Sequence, residues 1–210
     1  MLKQEQLTRD KITLKGSAKI ITEFFDYGLN SILFQRGIYP AEDFKIVQKY
    51  GLNILVTTDT ELQLYIKNVL QQVENWILAK TIKKLVMTIN SKDTRETLER
   101  WQFDIHLEDE EESSQSNSSK PPKTEKQISM EIQSVIKQIT ASVTFLPIIE
   151  ERCTFNILVY AGQDVKVPTA WVDSDPHHVK NSEQVRLRSF STDVHRVEAM
   201  VAYRRDPELC

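Results

Sequence analysis

The chain has 210 residues, of which 40% are hydrophobic and 27% are charged, and its net charge is -3. This composition is typical of one compact globular domain, and the slight negative charge provides no general attraction to nucleic acid or to anionic membranes. Two cysteines exclude a disulfide framework, and no apolar run reaches the length of a membrane span or a secretory signal, so we expect a soluble protein in a reducing compartment.

The first predicted element is a long helix from Gly16 to Pro40. Its apolar residues recur every three or four positions, which predicts one continuous buried stripe: Ile21, Phe24, Phe25, Gly28, Leu29, Ile32 and Leu33. Ser17 is the predicted N-cap, and Gly37 followed by Pro40 supplies a stop. Gly28 would allow another backbone to come close. The pattern indicates a core helix that carries no chemistry.

The middle of the chain predicts two further helices and three strands. A strand is expected over Leu52–Val56, and Asp59 then opens a helix whose buried face is Leu62, Ile66, Val69, Leu70, Val73 and Ile77. The segments Thr81–Ile89 and Thr97–Leu107 predict an antiparallel hairpin, with Trp101, Phe103 and Ile105 facing the core. The third helix has its apolar face at Ile128, Ile132, Val135, Ile136 and Ile139.

The segment from Glu108 to Lys126 has a different composition. Five consecutive acidic residues are followed by serine, glutamine, asparagine and lysine and then by two prolines. Such a segment buries too little apolar area to offset the entropy of ordering, so residues 108–126 are predicted to form a flexible acidic surface loop. A functional acidic tail is the alternative interpretation.

The last third of the chain suggests a mechanism. Arg152–Tyr160 alternates as a strand, and strand character resumes from Val185 to Tyr203. Between them, Ala161–Ser182 has no clear period and contains Pro168, Trp171 and Pro176. About twenty irregular residues are more than an ordinary connection needs. We therefore expect this loop to tether a strand-forming segment that can dock in more than one place.

No catalytic motif was found by inspection of the sequence. A metal site at Asp173, Asp175, His177 and His178 is a weak alternative to an ordinary polar turn, and Cys153 with His195 is a weaker candidate for a nucleophile and base. Five arginines near the C-terminus could bind nucleic acid, but the aromatic residues that stack bases are sparse there: Arg186, Arg188, Arg196, Arg204 and Arg205. Three hypotheses remain: a peptide-capture module working by strand addition, an enzyme with an unrecognised site, and a nucleic-acid-binding adaptor.

Several long strings of this sequence resemble the HORMA-domain family, in its spindle assembly checkpoint branch. They are GSA, EFF, NSIL and QRGIYP within residues 16–40, KYGLNILVTTD at 49–59, LERWQFDI at 98–105, SVIKQITASVTFLP at 134–147 and NSEQVRLRSF at 181–190. The resemblance implies an α+β fold in which three helices pack on a mostly antiparallel β-sheet. It also implies a single HORMA domain over residues 1–210, with a core at 10–160 and a mobile C-terminal safety belt at 161–210.

The mechanism that this resemblance implies agrees with the first hypothesis, capture of a peptide by strand addition. In its open form the C-terminal segment covers a sheet edge, and in its closed form that segment moves across the sheet and wraps around a partner peptide paired with the exposed edge. The resemblance implies that Phe155, Ile157, Val159, Trp171, His195 and Val201 bind the partner peptide. It assigns Lys137, Gln138, Phe145 and Arg188 to an interface for dimerisation and for an antagonist. Lys137 stands where the family's arginine is expected, and loss of the bidentate guanidinium is expected to weaken the dimer.

The resemblance further implies an adaptor without catalytic activity, cofactor or metal, which delays anaphase by restraining the activator of the anaphase-promoting complex. The implied partners are the mitotic-arrest-deficient one protein, the cell-division-cycle-twenty activator, a Bub-related checkpoint protein, the comet antagonist with its AAA ATPase, and a second copy of the chain in the other conformer. No nucleic acid and no membrane span are expected, and the implied locations are nucleus, kinetochore and cytoplasm. A HORMA adaptor of the polymerase-zeta or meiotic-axis type is the alternative.

Overall fold

The structure is a computed structural model, which describes residues 12–108, 122–162, 165 and 167–205. Three α-helices pack on a mostly antiparallel sheet, as predicted. The helices are α1 (Leu14–Gln35), α2 (Thr60–Leu78) and α3 (Glu125–Ala141). The strands are β1 (Phe44–Lys49), β2 (Leu52–Thr57), β3 (Ile82–Ser91), β4 (Thr97–Leu107), β5 (Cys153–Ala161), β6 (Ser182–Ser191) and β7 (His195–Arg204).

Helix α1 begins earlier and ends earlier than predicted. Thr13, not Ser17, is the N-cap, and its side chain accepts a hydrogen bond from the amide of Gly16 at 3.1 Å. Ser17 is instead fully buried in the first turns of the helix. The predicted stop is confirmed, because Gly37 has a φ of 63°, a conformation that suits glycine. At Gly28 the neighbour is the side chain of Ile139 rather than another backbone.

The five-stranded sheet has the order β5-β3-β4-β7-β6, and every neighbouring pair is antiparallel. The β3–β4 hairpin predicted from the sequence forms its centre, and Trp101, Phe103 and Ile105 are buried as expected. Phe24 of α1 packs with its ring centroid 5.8 Å from that of Phe103 and 4.7 Å from that of Phe190. The core therefore lies between the helices and one face of this sheet, and it includes the C-terminal hairpin.

A second, two-stranded sheet contains a strand that the sequence analysis missed. The predicted strand at Leu52–Val56 is confirmed as β2, and it pairs with β1 across a turn at Tyr50 and Gly51, both with positive φ. Strand β1 carries polar residues on both of its faces, with Gln48 on one and Lys45 and Lys49 on the other, and its Ile46 is 67% exposed. It therefore lacks the apolar alternation by which a strand is recognised.

A buried ion pair connects two of the sequence strings that carried the family resemblance. Arg36, just after α1, donates to Glu99 Oε1 on β4 through Nε at 2.8 Å, and its Nη2 donates to the carbonyl oxygen of Pro147 at 2.5 Å. Trp101 Nε1 donates to the other carboxylate oxygen of Glu99 at 3.0 Å. Burial raises the pKa of Glu99, while the Arg36 guanidinium opposes that rise. This network fixes the end of α1 against β4 and the segment that follows α3.

Helix α3 begins with a capping box formed by Thr124 and Gln127. Because the helix starts at Glu125, the last two residues assigned to the acidic loop belong to its first turn. The rest of that prediction concerns mainly residues 109–121, which lie outside the described residues.

Candidate functional site

The outer edge of β5 is the first feature of the candidate site. β5 pairs with β3 along one side, in a register that runs from Ile82 opposite Ala161 to Ser91 opposite Cys153. On its other side, no strand within the described parts of the chain pairs with it. A strand edge of this kind presents main-chain N–H and C=O groups to any extended peptide that approaches. The edge can therefore add a sixth strand.

Aromatic side chains line this edge on its helix side. The Phe155 ring lies 5.8 Å from the ring of Tyr65 on α2 and 6.2 Å from that of Tyr39, measured between centroids. The backbone of Ile157 forms a hydrogen bond with the Tyr65 hydroxyl, while burial raises the pKa of that hydroxyl. Ile157 is buried, and Phe155 and Val159 are half-buried. The three β5 residues predicted from the sequence thus lie together, beside two tyrosines that the analysis missed.

The irregular segment after β5 passes from one face of the sheet to the other. Trp171 packs against Trp76 of α2 with a centroid distance of 4.9 Å, which places it on the helix-covered face. Five residues later the carbonyl of Pro176 accepts from Arg100 Nε at 3.2 Å, and Arg100 extends from β4 on the opposite face to Trp101. Arg100 also donates to the Tyr160 hydroxyl at 3.2 Å. Residues 167–181 therefore form a strap that touches α2 and then lies over the outer face.

The two other residues assigned to peptide binding lie elsewhere. His195 and Val201 are on β7, which is separated from β5 by β4 and β3. Val201 is opposite Trp101 in the β4–β7 register and has no exposed surface, and His195 is 2% exposed. A peptide on the outer edge of β5 cannot reach either side chain. Both residues instead hold the β6–β7 hairpin in place, and this position of the hairpin corresponds to the one expected of the closed form.

The residues assigned to a dimer and antagonist interface lie on one surface formed by α3 and β6. The Gln138 side-chain oxygen accepts from the amide of Arg188 at 2.5 Å, which ties α3 to β6. Lys137 is exposed and donates to Gln133 at 3.1 Å. Phe145 follows the helix and is 41% exposed. Two further apolar side chains close to Phe145 in sequence are exposed, namely Val143 at 47% and Ile148 at 86%. Exposed apolar groups beside charged ones are typical of a protein contact surface.

The alternative sites from the sequence are not assembled. His177 contacts Ser174 and Thr97, and the described residues contain no group of three or more His, Cys, Asp or Glu side chains that could hold a metal ion. Cys153 on β5 is separated from His195 by two strands, and burial raises the pKa of its thiol to about 11. Within the described residues, no helix is both long and apolar enough to cross a bilayer.

The C-terminal arginines are largely engaged in ion pairs within the protein. Arg196 pairs with Glu198, Arg204 with Glu96 and Glu151, and Arg205 with Glu183. Each pair neutralises a charge that a nucleic-acid phosphate would need. This arrangement favours a solvated strand face over the nucleic-acid patch.

Comparisons with known proteins agree with this architecture. The family model described as HORMA domain matches residues 17–195. The chain is 54% identical over 199 residues to the "Mitotic spindle checkpoint component mad2" of Schizosaccharomyces pombe, covering 95% of this chain and 97% of that protein. It is 51% identical over 200 residues to the human "Mitotic spindle assembly checkpoint protein MAD2A", covering 95% and 96%.

Solved structures give the same result for the fold. A chain in the "Crystal Structure of Mitotic Checkpoint Complex" superposes with a TM-score of 0.81 at 53% identity, over 90% of this chain and 99% of that one. The Caenorhabditis elegans protein HTP-2 bound to the HIM-3 closure motif superposes with a TM-score of 0.73 at 10% identity, over 97% and 98%. At that identity the second match supports the shared fold alone.

Proposed function

Since this chain belongs to the HORMA-domain family, within its branch of mitotic spindle checkpoint components, we propose that it captures a short segment of a checkpoint partner on the outer edge of β5. The chain is a spindle checkpoint adaptor, and the proposal concerns how it holds its partners. The observation that carries it is the β5 edge, with which no strand of the described residues pairs, beside a strap that contacts α2 on one face of the sheet and Arg100 on the other.

Each part of this site has a separate role in capture. The β5 main chain supplies hydrogen bonds that any extended peptide can use, and these bonds favour affinity over selectivity. Phe155 and its tyrosine neighbours supply apolar contact for alternate side chains of the peptide. The strap then covers the peptide, so we expect slow dissociation, because Trp171 must leave Trp76 before the peptide is released.

The open form would differ in the position of the hairpin. In the proposed mechanism, β6 and β7 leave β4 and the C-terminal segment covers a sheet edge itself, so that no partner is held. The two forms would be packings of one sequence that differ by a few kcal/mol. A switch of this kind lets the checkpoint gain and lose partners without any covalent change.

The proposed partners are those of the checkpoint branch. They are the mitotic-arrest-deficient one protein, the cell-division-cycle-twenty activator and a Bub-related checkpoint protein, with capture of the activator delaying anaphase. The surface around Lys137, Gln138, Phe145 and Arg188 is proposed to bind a second copy of the chain and, in competition, the comet antagonist with its AAA ATPase. Nucleus, kinetochore and cytoplasm are the proposed locations.

The alternative assignment within the family has less support. A relative from Danio rerio named "Mitotic spindle assembly checkpoint protein MAD2B" is 23% identical to this chain, against 51% for the human MAD2A. The HTP-2 structures match at 10–11% identity and indicate the fold only. A role of the polymerase-zeta or meiotic-axis type therefore remains the second candidate.

Hydrogen exchange with and without a synthetic peptide tests the proposal. The peptide should carry the apolar residues and single basic residue expected of a partner motif, and its scrambled version is the control. Amides of residues 154–161 should gain protection with the motif peptide only, because β5 acquires a second neighbour. Protection confined to other strands, or equal protection by the scrambled peptide, would contradict capture at this edge.

A further inference from the structure

A buried cluster of hydroxyl and imidazole groups joins the first turns of α1 to the turn between β6 and β7. Ser17 Oγ lies 2.7 Å from His195 Nδ1 and 2.5 Å from Thr192 Oγ1. The amide of His195 donates to Thr192 Oγ1 at 3.1 Å, and the amide of Thr192 donates to the carbonyl of His195 at 2.9 Å. None of the three residues is more than 2% exposed. Ser17 is more than 170 positions from Thr192 and His195 along the chain, so only the folded hairpin brings it to them.

The partners of Ser17 show what this cluster depends on. Both side-chain partners of its hydroxyl among the described residues belong to the hairpin turn. A buried hydroxyl without a partner is costly, whereas a satisfied one contributes modestly to stability. Moving the hairpin away from β4 therefore breaks every hydrogen bond of this cluster that crosses between α1 and the turn. The cluster favours the docked position specifically, whereas apolar contacts would tolerate small shifts.

The same turn is held from a second direction by the segment that precedes α3. The amide of Lys123 donates to Asp193 Oδ2 at 2.6 Å, and Lys123 Nζ donates to Glu131 at 2.7 Å and to Ser191 Oγ at 3.1 Å. The amide of Ser191 in turn donates to Glu131 Oε2 at 3.0 Å. These groups are part-buried, in contrast with the Ser17 cluster. The fully buried cluster is thus the contact that water can least replace.

We infer that Ser17, Thr192 and His195 form a latch that fixes the tip of the C-terminal hairpin on α1. The latch must break before the hairpin leaves β4. Where the inference concerns a bound peptide it rests on the proposed function, because the strap encloses the β5 edge only while the hairpin is docked. Under that function the latch sets how long a captured peptide is held. Its three residues act by positioning the hairpin and do not touch the peptide.

Ser17→Ala tests the latch, and Ser31→Ala is its matched control. Ser31 lies on the same helix and is almost as buried, but its hydroxyl donates at 2.7 Å to the carbonyl of Tyr27 within α1. Hydrogen exchange is measured on the peptide-free protein. In Ser17→Ala the amides of β6 and β7 should exchange about 10-fold faster relative to those of β3 and β5. In Ser31→Ala that ratio should not change. An unchanged ratio in Ser17→Ala, or an equal change in both variants, overturns the latch.

Thr192→Val provides a second route if Ser17→Ala folds poorly, because it removes the hydroxyl while keeping the side-chain shape. It should likewise raise the exchange rate of β6 and β7 relative to that of β3 and β5. In the variant that combines Ser17→Ala with Thr192→Val, the loss of free energy should be smaller than the sum of the two single losses, because both substitutions act on one cluster. Fully additive effects would overturn the latch. As a second readout, the synthetic motif peptide should dissociate faster from Ser17→Ala than from Ser31→Ala. If the unsubstituted protein holds no peptide, the proposed function fails, while the exchange result on the peptide-free protein still decides the latch.

Discussion

The two edges of the five-stranded sheet, at β5 and at the β6–β7 hairpin, differ in what covers them. On the β5 side, no strand of the described residues pairs with the outer edge, and the nearest aromatic side chains are half-buried or exposed. On the β6–β7 side, Phe190, Val197 and Val201 are at most 1% exposed, α3 packs on β6, and the turn is tied down by buried hydrogen bonds. Both end strands of the sheet thus lack a further strand among the described residues, but α3 packs along β6 and accepts hydrogen bonds from the amides of Arg188 and Ser191, whereas the β5 edge is bordered by aromatic side chains.

The largest expected difference between the two sides concerns stability. Phe190→Ala removes a buried ring that packs on Phe24, and we expect it to cost about 3–5 kcal/mol. Phe155→Ala removes a half-buried ring on β5 and should cost about 1 kcal/mol, because less apolar area is lost from the core. Urea unfolding of both variants measures these costs. Equal costs would mean that the two sides are equally part of the core.

The second expected effect is a dependence on pH that belongs to the hairpin side. Burial, with a smaller contribution from the charge of Lys80, lowers the pKa of His195 from 6.5 to about 4. The His195 imidazole is therefore protonated at a higher pH in the unfolded chain than in the folded protein. The contribution of His195 to stability is complete above pH 6.5 and declines as the pH falls towards 4, by about 3 kcal/mol in total.

Urea unfolding at pH 7, 5.5 and 4.5 measures this dependence. His195→Gln should flatten the decline in that window. His106→Gln, which replaces a half-exposed histidine near Glu198, should retain it. If the unsubstituted protein and His195→Gln show the same slope, the imidazole is not buried in solution as it is in the structure.

A smaller effect is expected at the strap. Trp171→Ala removes the edge-to-face contact with Trp76, a type of contact worth about 0.5–1.5 kcal/mol, so a captured peptide should dissociate up to about 10-fold faster. Val172→Ala is the matched control, since the neighbouring side chain is 84% exposed and makes little contact. Peptide release followed by fluorescence anisotropy compares them. A similar release rate in both variants would show that the strap does not hold the ligand through Trp171.

The smallest stability effect is expected on the surface formed by α3 and β6. Lys137→Glu reverses an exposed charge, so its free energy of unfolding should change by less than about 0.5 kcal/mol. Self-association should weaken. Lys67→Glu places the same change on an exposed position of α2. Sedimentation at several concentrations measures self-association of both variants. Equal association of Lys137→Glu and Lys67→Glu would exclude Lys137 from the dimer interface.

The sequence predicted those parts of the fold that depend on local periodicity. The buried faces of α2 and α3 and the β3–β4 hairpin are confirmed residue by residue, because an amphipathic pattern states which side is buried. Strand β1 was missed because its polar residues fall on both faces and Ile46 is exposed, so no apolar alternation marks it. The helix start was misplaced because Thr13 and Ser17 are both good caps, and only the tertiary contact of Ser17 distinguishes them.

The candidate site was predicted only where one strand defines it. Phe155, Ile157 and Val159 share a strand, so their proximity follows from alternation. The buried position of His195 and Val201 on β7 could not be predicted, because the pairing of β7 with β4 is a long-range choice that no local pattern encodes. Tyr39 and Tyr65 were missed for the same reason, since their contact with Phe155 depends on how α2 and the end of α1 pack beside β5.

The path of the strap has a mechanical consequence. The strap leads to a hairpin that pairs on the far side of β4, so in the proposed mechanism the backbone closes around a peptide on the β5 edge. A peptide enclosed in this way, with a folded domain of the partner on each side of it, could not slide out along its own axis. Binding and release of such a peptide would then require the β6–β7 hairpin to leave β4, and the affinity of the peptide for the β5 edge would matter less.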